Sequence, residues 1–242
     1  MSDQATQPLT PRRRTRQILV GTVAVGGDAP ISVQSMTKTD SRDVEATVNQ
    51  IYAYANAGCE IVRVSVPTKK AGEVFHEICA RSPIPVVADI HFDYRLALVA
   101  ADGGAACLRI NPGNIGGRDR VKAVVDKAGA LGIPIRIGVN GGSLEKDLLE
   151  QFGSATPEAM VASALRHIEV LEREGFHAIK ISLRPATWSA RSRPTACWPG
   201  RWTTPSTWGS PRRARPLAGP SGRVWAWASS WPKAWATPSG CP

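Results

Sequence analysis

Residues 107–140 read CLRINPGNIGGRDRVKAVVDKAGALGIPIRIGVN. A short apolar run opens the stretch at CLRINPGN (107–114). A helical pattern follows over about 118–131, Gly132 ends it, and a second apolar, β-branched run begins at PIRIGVN (134–140). Glycine closes helices, and β-branched runs of this length form strands. Two strands joined through a helix make a parallel pair. Read outward, the same unit recurs. ISVQSMT (31–37) precedes a helix over about 43–57, EIVRVSVP (60–67) one over about 70–80, and PVVADIHF (85–92) one over about 94–102. Helices over about 145–152 and 157–174 lead to a sixth strand, HAIKISLR (177–184). Gly58, Pro83, Gly103, Gly104 and Gly175 mark other returns to strand, and ILVGTVAVGGDAP (18–30) reads as a lead-in hairpin. Repeated units of this kind build a parallel sheet covered by helices. A (β/α)8 barrel and a doubly wound sheet both fit. No Gly-x-Gly-x-x-Gly follows the first strand, which weakens a dinucleotide reading.

Four of these strands carry a cation between apolar neighbours: Arg63 in Val-Arg-Val, Arg109 in Leu-Arg-Ile, Arg136 in Ile-Arg-Ile and Lys180 in Ile-Lys-Ile. Alternation turns each cation to the face opposite its neighbours. In a closed barrel that face is the lumen, so the four converge there, with Asp89, His91 and Gln34 expected to face the same space. The bland alternative pairs each cation with an acid on a neighbouring strand. Asp89 is the evident in-strand acid, and one carboxylate does not balance four cations. Unpaired buried charge is costly. Arginine grips phosphate through two N–H groups at once, and lysine adds a point charge. The pattern therefore favours a small polyanion in the barrel mouth, where barrel active sites lie.

Other features are weaker. Asn111–Pro112–Gly113–Asn114 and Asn140–Gly141–Gly142–Ser143 follow two strands. They read either as backbone anion cradles or as ordinary tight turns, and alone the turn reading is stronger. Asp89 with His91 could ligate a metal, act as acid and base, or form a structural pair; with no third ligand nearby in sequence, metal is the weakest of the three. His76, His167 and His177 read as ordinary. Cys59, Cys79 and Cys107 read as small core residues. Arg166, Glu169, Glu172, Arg173 and Glu174 read as a solvated helix face.

The chain has 242 residues and a formal net charge of +10. All 20 acids precede residue 185, so 22 cations leave residues 1–184 at +2. The remaining segment holds Arg191, Arg193, Arg201, Arg212, Arg213, Arg215, Arg223 and Lys233, all eight tryptophans, and no acid. Two compositions meet near Arg184. The five cysteines show no close pairing, which fits a reducing compartment. Residues 1–17 read as a disordered basic terminus without a secretory signal, and no apolar run is long enough to cross a bilayer, so a cytoplasmic protein is expected.

In chain order, VQSMT, EATVNQI, IVRVSVP, VADIHFDYR, CLRINPGNIG, IPIRIGVNGGSLEKDL and IKISLR resemble the bacterial 4-hydroxy-3-methylbut-2-enyl diphosphate synthase family over about residues 12–184. The resemblance implies an α/β fold: an incomplete (β/α)8 TIM-type barrel of about six βα units over 18–184, followed by an irregular tail. It implies reductive ring-opening of 2-C-methyl-D-erythritol 2,4-cyclodiphosphate in isoprenoid biosynthesis. The family uses a 4Fe-4S cluster held by three cysteines and a glutamate on a further domain. Flavodoxin or ferredoxin supplies electrons, and the enzyme is a homodimer. Arg63, Arg109, Arg136 and Lys180 fall on the family's diphosphate-binding cations, and Asn140, Asp89 and His91 on residues lining the substrate site.

The resemblance stops after Arg184, and 185–242 is expected to be a non-native, disordered tail read out of frame. A family-like His-Leu-Gly-Val-Thr-Glu-Ala in GC-rich codons, CAC CTG GGG GTC ACC GAG GCG G, loses its first base to become Thr-Trp-Gly-Ser-Pro-Arg-Arg, which is Thr207 to Arg213. A second family-like segment, shifted alike, gives Ala226 to Pro242. One shift explains both stretches, the tryptophans and the missing acids. Cys197 and Cys241 cannot then stand in for cluster ligands, so no cofactor is expected on this chain. Catalytic inactivity and poor solubility follow. Two other functions compete: an Arg/Trp-rich tail binding single-stranded nucleic acid, and a pterin-binding barrel. Four strand cations favour the diphosphate.

Overall fold

The computed structural model describes residues 15–184 and a strand at Ser206–Trp208. A hairpin comes first: β1 (Ile18–Val20) pairs antiparallel with β2 (Val23–Val25). Its turn needs Gly21, whose φ of 58° is left-handed. A parallel series then alternates with helices. It runs β3 (Gln34–Met36), α1 (Val44–Asn56), β4 (Ile61–Ser65), α2 (Lys69–Arg81), β5 (Val86–Asp89), α3 (Tyr94–Asp102) and β6 (Cys107–Ile110). It continues with α4 (Pro112–Ile115), α5 (Arg118–Leu131), β7 (Ile135–Asn140), a 3-10 turn (Gly141–Ser143), α6 (Lys146–Phe152), α7 (Pro157–Arg173), β8 (Ile179–Arg184) and β9 (Ser206–Trp208). Side chains cap five helices: Asp43 accepts from Ala46 N–H, Thr68 from Ala71, Asp93 from Arg95, Asn111 from Gly113 and Thr156 from Ala159. Each such cap stabilises by about 1 kcal/mol.

The strand order is β3-β4-β5-β6-β7-β8-β9, every pair parallel and every neighbour consecutive. A doubly wound sheet reverses its order part-way; this one never does. Its helices therefore lie on one face and its other face curls inward, giving an incomplete TIM-type barrel. The outward residues Val62, Val64, Ala88, Leu108, Ile110, Ile135, Ile137, Ile179 and Ile181 meet the helices in one buried core. The inward residues near the strand starts, Ile61, Val87 and Cys107, pack instead on Ile18, Val20 and Val25 of the hairpin. The hairpin thus plugs the N-terminal end of the lumen, and the strand C-termini form the mouth.

Two details differ from the sequence reading. Asn111–Pro112–Gly113–Asn114 is no loop: Asn111 Oδ1 accepts from Gly113 N–H at 3.1 Å, and Pro112 opens a single helical turn. Proline at the first helical position lacks an N–H that would go unused there. Within 185–242 a seventh barrel strand, β9, pairs with Ile181–Leu183; the rest of that segment lies outside the described residues, as do residues 1–14. Of the expected disordered terminus, Thr15 Oγ1 accepts from Gly27 N–H at 2.9 Å and Arg16 donates to the His177 carbonyl at 3.2 Å. Among the described residues no pairing joins β9 to β3.

Candidate functional site

The registers place the cations. Asp89 pairs with Arg109, Arg109 with Arg136, and Arg136 with Lys180. Parallel partners in register share a face, so these four residues on β5, β6, β7 and β8 form one layer of the lumen. Arg63 reaches the same layer from β4, its Nε 3.3 Å from Asp89 Oδ2. Arg109 Nη1 donates to Asp89 Oδ1 at 2.9 Å. One carboxylate therefore holds two guanidiniums on this side. On the other side Arg136 donates to Gln34 Oε1 at 3.2 Å and to Ser182 Oγ at 2.8 Å, both neutral acceptors. Lys180, 1% exposed, has no carboxylate partner among the described residues.

Burial dominates the electrostatics. Desolvation, aided by Arg63, pushes the Arg136 guanidinium down to about 9. Desolvation and Arg136 bring the Lys180 ammonium down to about 8. Burial also lowers Arg63, and Asp89 opposes the shift. These are the signs of charge taken out of water without full compensation. An arriving anion would supply the compensation.

The other expected residues divide. Asn140 ends β7 on the lumen side, two residues beyond Gly138 and four beyond Arg136. His91 lies past the end of β5, exposed beside Phe92 with ring centroids 6.3 Å apart. The partners of Asp89 are Arg63 and Arg109. Alternation also puts Gly138, Ser182 and Arg184 on the lumen face, and the sequence reading did not single them out. The i+2 step from Arg136 and Lys180 was the available signal. His167, read as ordinary, is 5% exposed on α7. Its Nε2 lies 3.1 Å from Glu145 Oε1, off the direction of a good hydrogen bond. Burial opposes ionisation of Glu145, but His167, the Glu145 backbone and Ser163 together hold its carboxyl down at about 2.

Residues 15–191 match the family model described as the GcpE TIM-barrel domain. This chain belongs to the GcpE TIM-barrel family. The chain is 61% identical over 173 residues to the 4-hydroxy-3-methylbut-2-en-1-yl diphosphate synthase (flavodoxin) of Hahella chejuensis, covering 72% of this chain and 47% of that protein. It is 58% identical over 180 residues to the protein of the same name from Haemophilus influenzae, covering 74% and 52%. The chain thus spans about half the length of the curated relatives it matches. Among solved structures, 3-dehydroquinate dehydratase from Geobacillus kaustophilus superposes with a TM-score of 0.61 at 10% identity, covering 83% of this chain and 80% of that one; this likeness concerns the fold alone. The GcpE barrel is therefore the frame in which the cation layer sits.

Among the described residues no three His, Cys, Asp or Glu side chains gather to hold a metal. Cys59 Sγ lies 3.0 Å from the Ile61 carbonyl, and Cys107 is fully buried at the plugged end. Neither is placed to bind an iron–sulfur cluster at the mouth. No helix of the described residues is long and apolar enough to cross a membrane.

Proposed function

We propose that this chain carries the cyclic-diphosphate-binding barrel of a 4-hydroxy-3-methylbut-2-en-1-yl diphosphate synthase. The whole enzyme would reductively open 2-C-methyl-D-erythritol 2,4-cyclodiphosphate in isoprenoid biosynthesis, with a 4Fe-4S cluster on a further domain, flavodoxin as donor and a second copy as partner. The observation that carries the reading is the lumen layer of Arg63, Arg109, Arg136 and Lys180 with the single carboxylate of Asp89.

The division of labour follows from the contacts. Arg63 and Arg109 share Asp89 and make a pair of forks with fixed orientation, suited to one phosphoryl group. Arg136 donates to the neutral oxygens of Gln34 and Ser182, and the Lys180 ammonium lies in register beside it, so the two offer positive charge suited to the other. Asn140 at the mouth offers an amide to the hydroxyl groups on the sugar-derived carbons. His91, exposed at the rim, would meet the ligand from outside the layer. The described residues offer no cluster ligands, and no redox step is assigned to them.

The 242-residue chain is expected to bind inorganic pyrophosphate in isothermal titration calorimetry, and Lys180→Ala to weaken binding by about tenfold. No ring-opening of the cyclodiphosphate is expected from it. A heat of binding no larger than that of inorganic chloride would sink the diphosphate reading. We further infer that residues 185–242 are translated out of frame. Supporting this, the family match ends at residue 191, where the acids have already ceased.

A further inference from the structure

Gly138 sits on β7 between Arg136 and Asn140, with its missing side chain directed into the lumen. Its backbone is not left-handed. Backbone freedom is therefore not what calls for glycine here. A Cβ at this position would stand 2.5 Å from Arg109 Nε, 2.6 Å from Nη2 and 2.8 Å from Cζ. All three atoms belong to one guanidinium, and a real Cβ essentially never comes so near a neighbour. On its far side the same group is held by Asp89 at 2.9 Å.

We propose that Gly138 is a positioning residue for the anion site, a bare patch of strand against which the Arg109 guanidinium lies and which fixes the edge it presents. The proposal rests on reading the lumen as a diphosphate site. Arg109 is clamped between Asp89 and the Gly138 Cα. A methyl group at 138 forces the guanidinium away. It must then leave Asp89 or crowd Arg63 and Arg136, the like charges in its layer. What yields is the end of a side chain and not the sheet, so the fold survives and the pose changes. Gly138 acts through Arg109, and its effect has no other route.

The test is a double-mutant cycle in the 242-residue chain: unaltered, Gly138→Ala, Arg109→Ala, and both together. Pyrophosphate affinity is read by calorimetry, and the Arg109 Nε–Hε resonance by NMR. Gly138→Ala is expected to weaken pyrophosphate by about tenfold or more, as for one lost charge-assisted hydrogen bond. It is expected to shift the Nε–Hε resonance and to cost nothing further once Arg109 is alanine. Equal losses in both backgrounds, or no loss in either, overturn the proposal. If Gly138→Ala fails to fold while the double variant folds, the clash with Arg109 is the cause and the seat stands; if both fail, it falls. If the unaltered chain ignores pyrophosphate, the diphosphate reading fails on its own. The resonance then decides the seat: a shift in Gly138→Ala upholds it, and an unmoved resonance overturns it.

Discussion

Asp89 is the residue on which the lumen layer balances. It is 2% exposed and touches two guanidiniums. Asp89→Asn keeps the shape and deletes the charge, leaving Arg109 buried and Arg63 part-buried without its carboxylate. Breaking a buried pair from one side costs about 3–5 kcal/mol. A loss of that size in urea unfolding is expected, with part of it recovered on adding pyrophosphate, which returns negative charge to the same place. An unchanged midpoint would mean that the two arginines do not depend on Asp89. The four cations were legible in the sequence because a charge between β-branched neighbours breaks the strand pattern. Gly138 and Ser182 were not, because a glycine or serine in a strand gives no such contrast. His91 was placed in the lumen by extending alternation past Asp89. The strand stops there, and the histidine lies exposed beyond its end.

Among the elements, the join between α6 and α7 holds the mouth loops. Glu145 just precedes α6, and Ser163 and His167 lie one turn apart on α7. The His167 ring also abuts α4: a Cβ on Gly113 would meet its Cε1 at 3.2 Å. One imidazole therefore braces the loops after β6 and β7, which carry Asn111 and Asn140. The Glu145 carboxyl, held at about 2 when folded, returns to roughly 4.3 in the unfolded chain. A depressed folded value means that the unfolded state binds the proton first. The stabilisation is thus whole above the unfolded value and lost as pH falls through about 2. Glu145→Gln is expected to lower the urea midpoint at neutral pH and to narrow the gap to the unaltered chain below pH 4. A gap that stays constant with pH would refute the ionic brace. Helix periodicity gave α6 and α7 nearly to the residue, but the contact between them joins positions 22 residues apart and has no local signature.

For the molecule as a whole, the sheet ends matter most. Among the described residues β3 and β9 each have one unpaired side. Unpaired strand edges recruit other edges. The 242-residue chain is therefore expected to associate with rising concentration in size-exclusion chromatography. Restoring one base near codons 184–190 should give a longer, monodisperse product whose new frame reads His-Leu-Gly-Val-Thr-Glu. A restored frame interrupted by stop codons would show the tail to be genuine. A parallel sheet covered by helices followed from the repeated βα units, but the barrel did not: barrel and doubly wound sheets share those units and differ in which strands become neighbours.

The consecutive strand order bears on how such a chain is made. Each strand from β4 onward docks on the one synthesised just before it. A ribosome releasing the chain from its N-terminus would let each unit settle on a finished predecessor, with only the closure of first strand on last left to wait. A slip in reading frame after the sixth barrel strand would then spoil what is still to come and leave the earlier turns of the barrel standing.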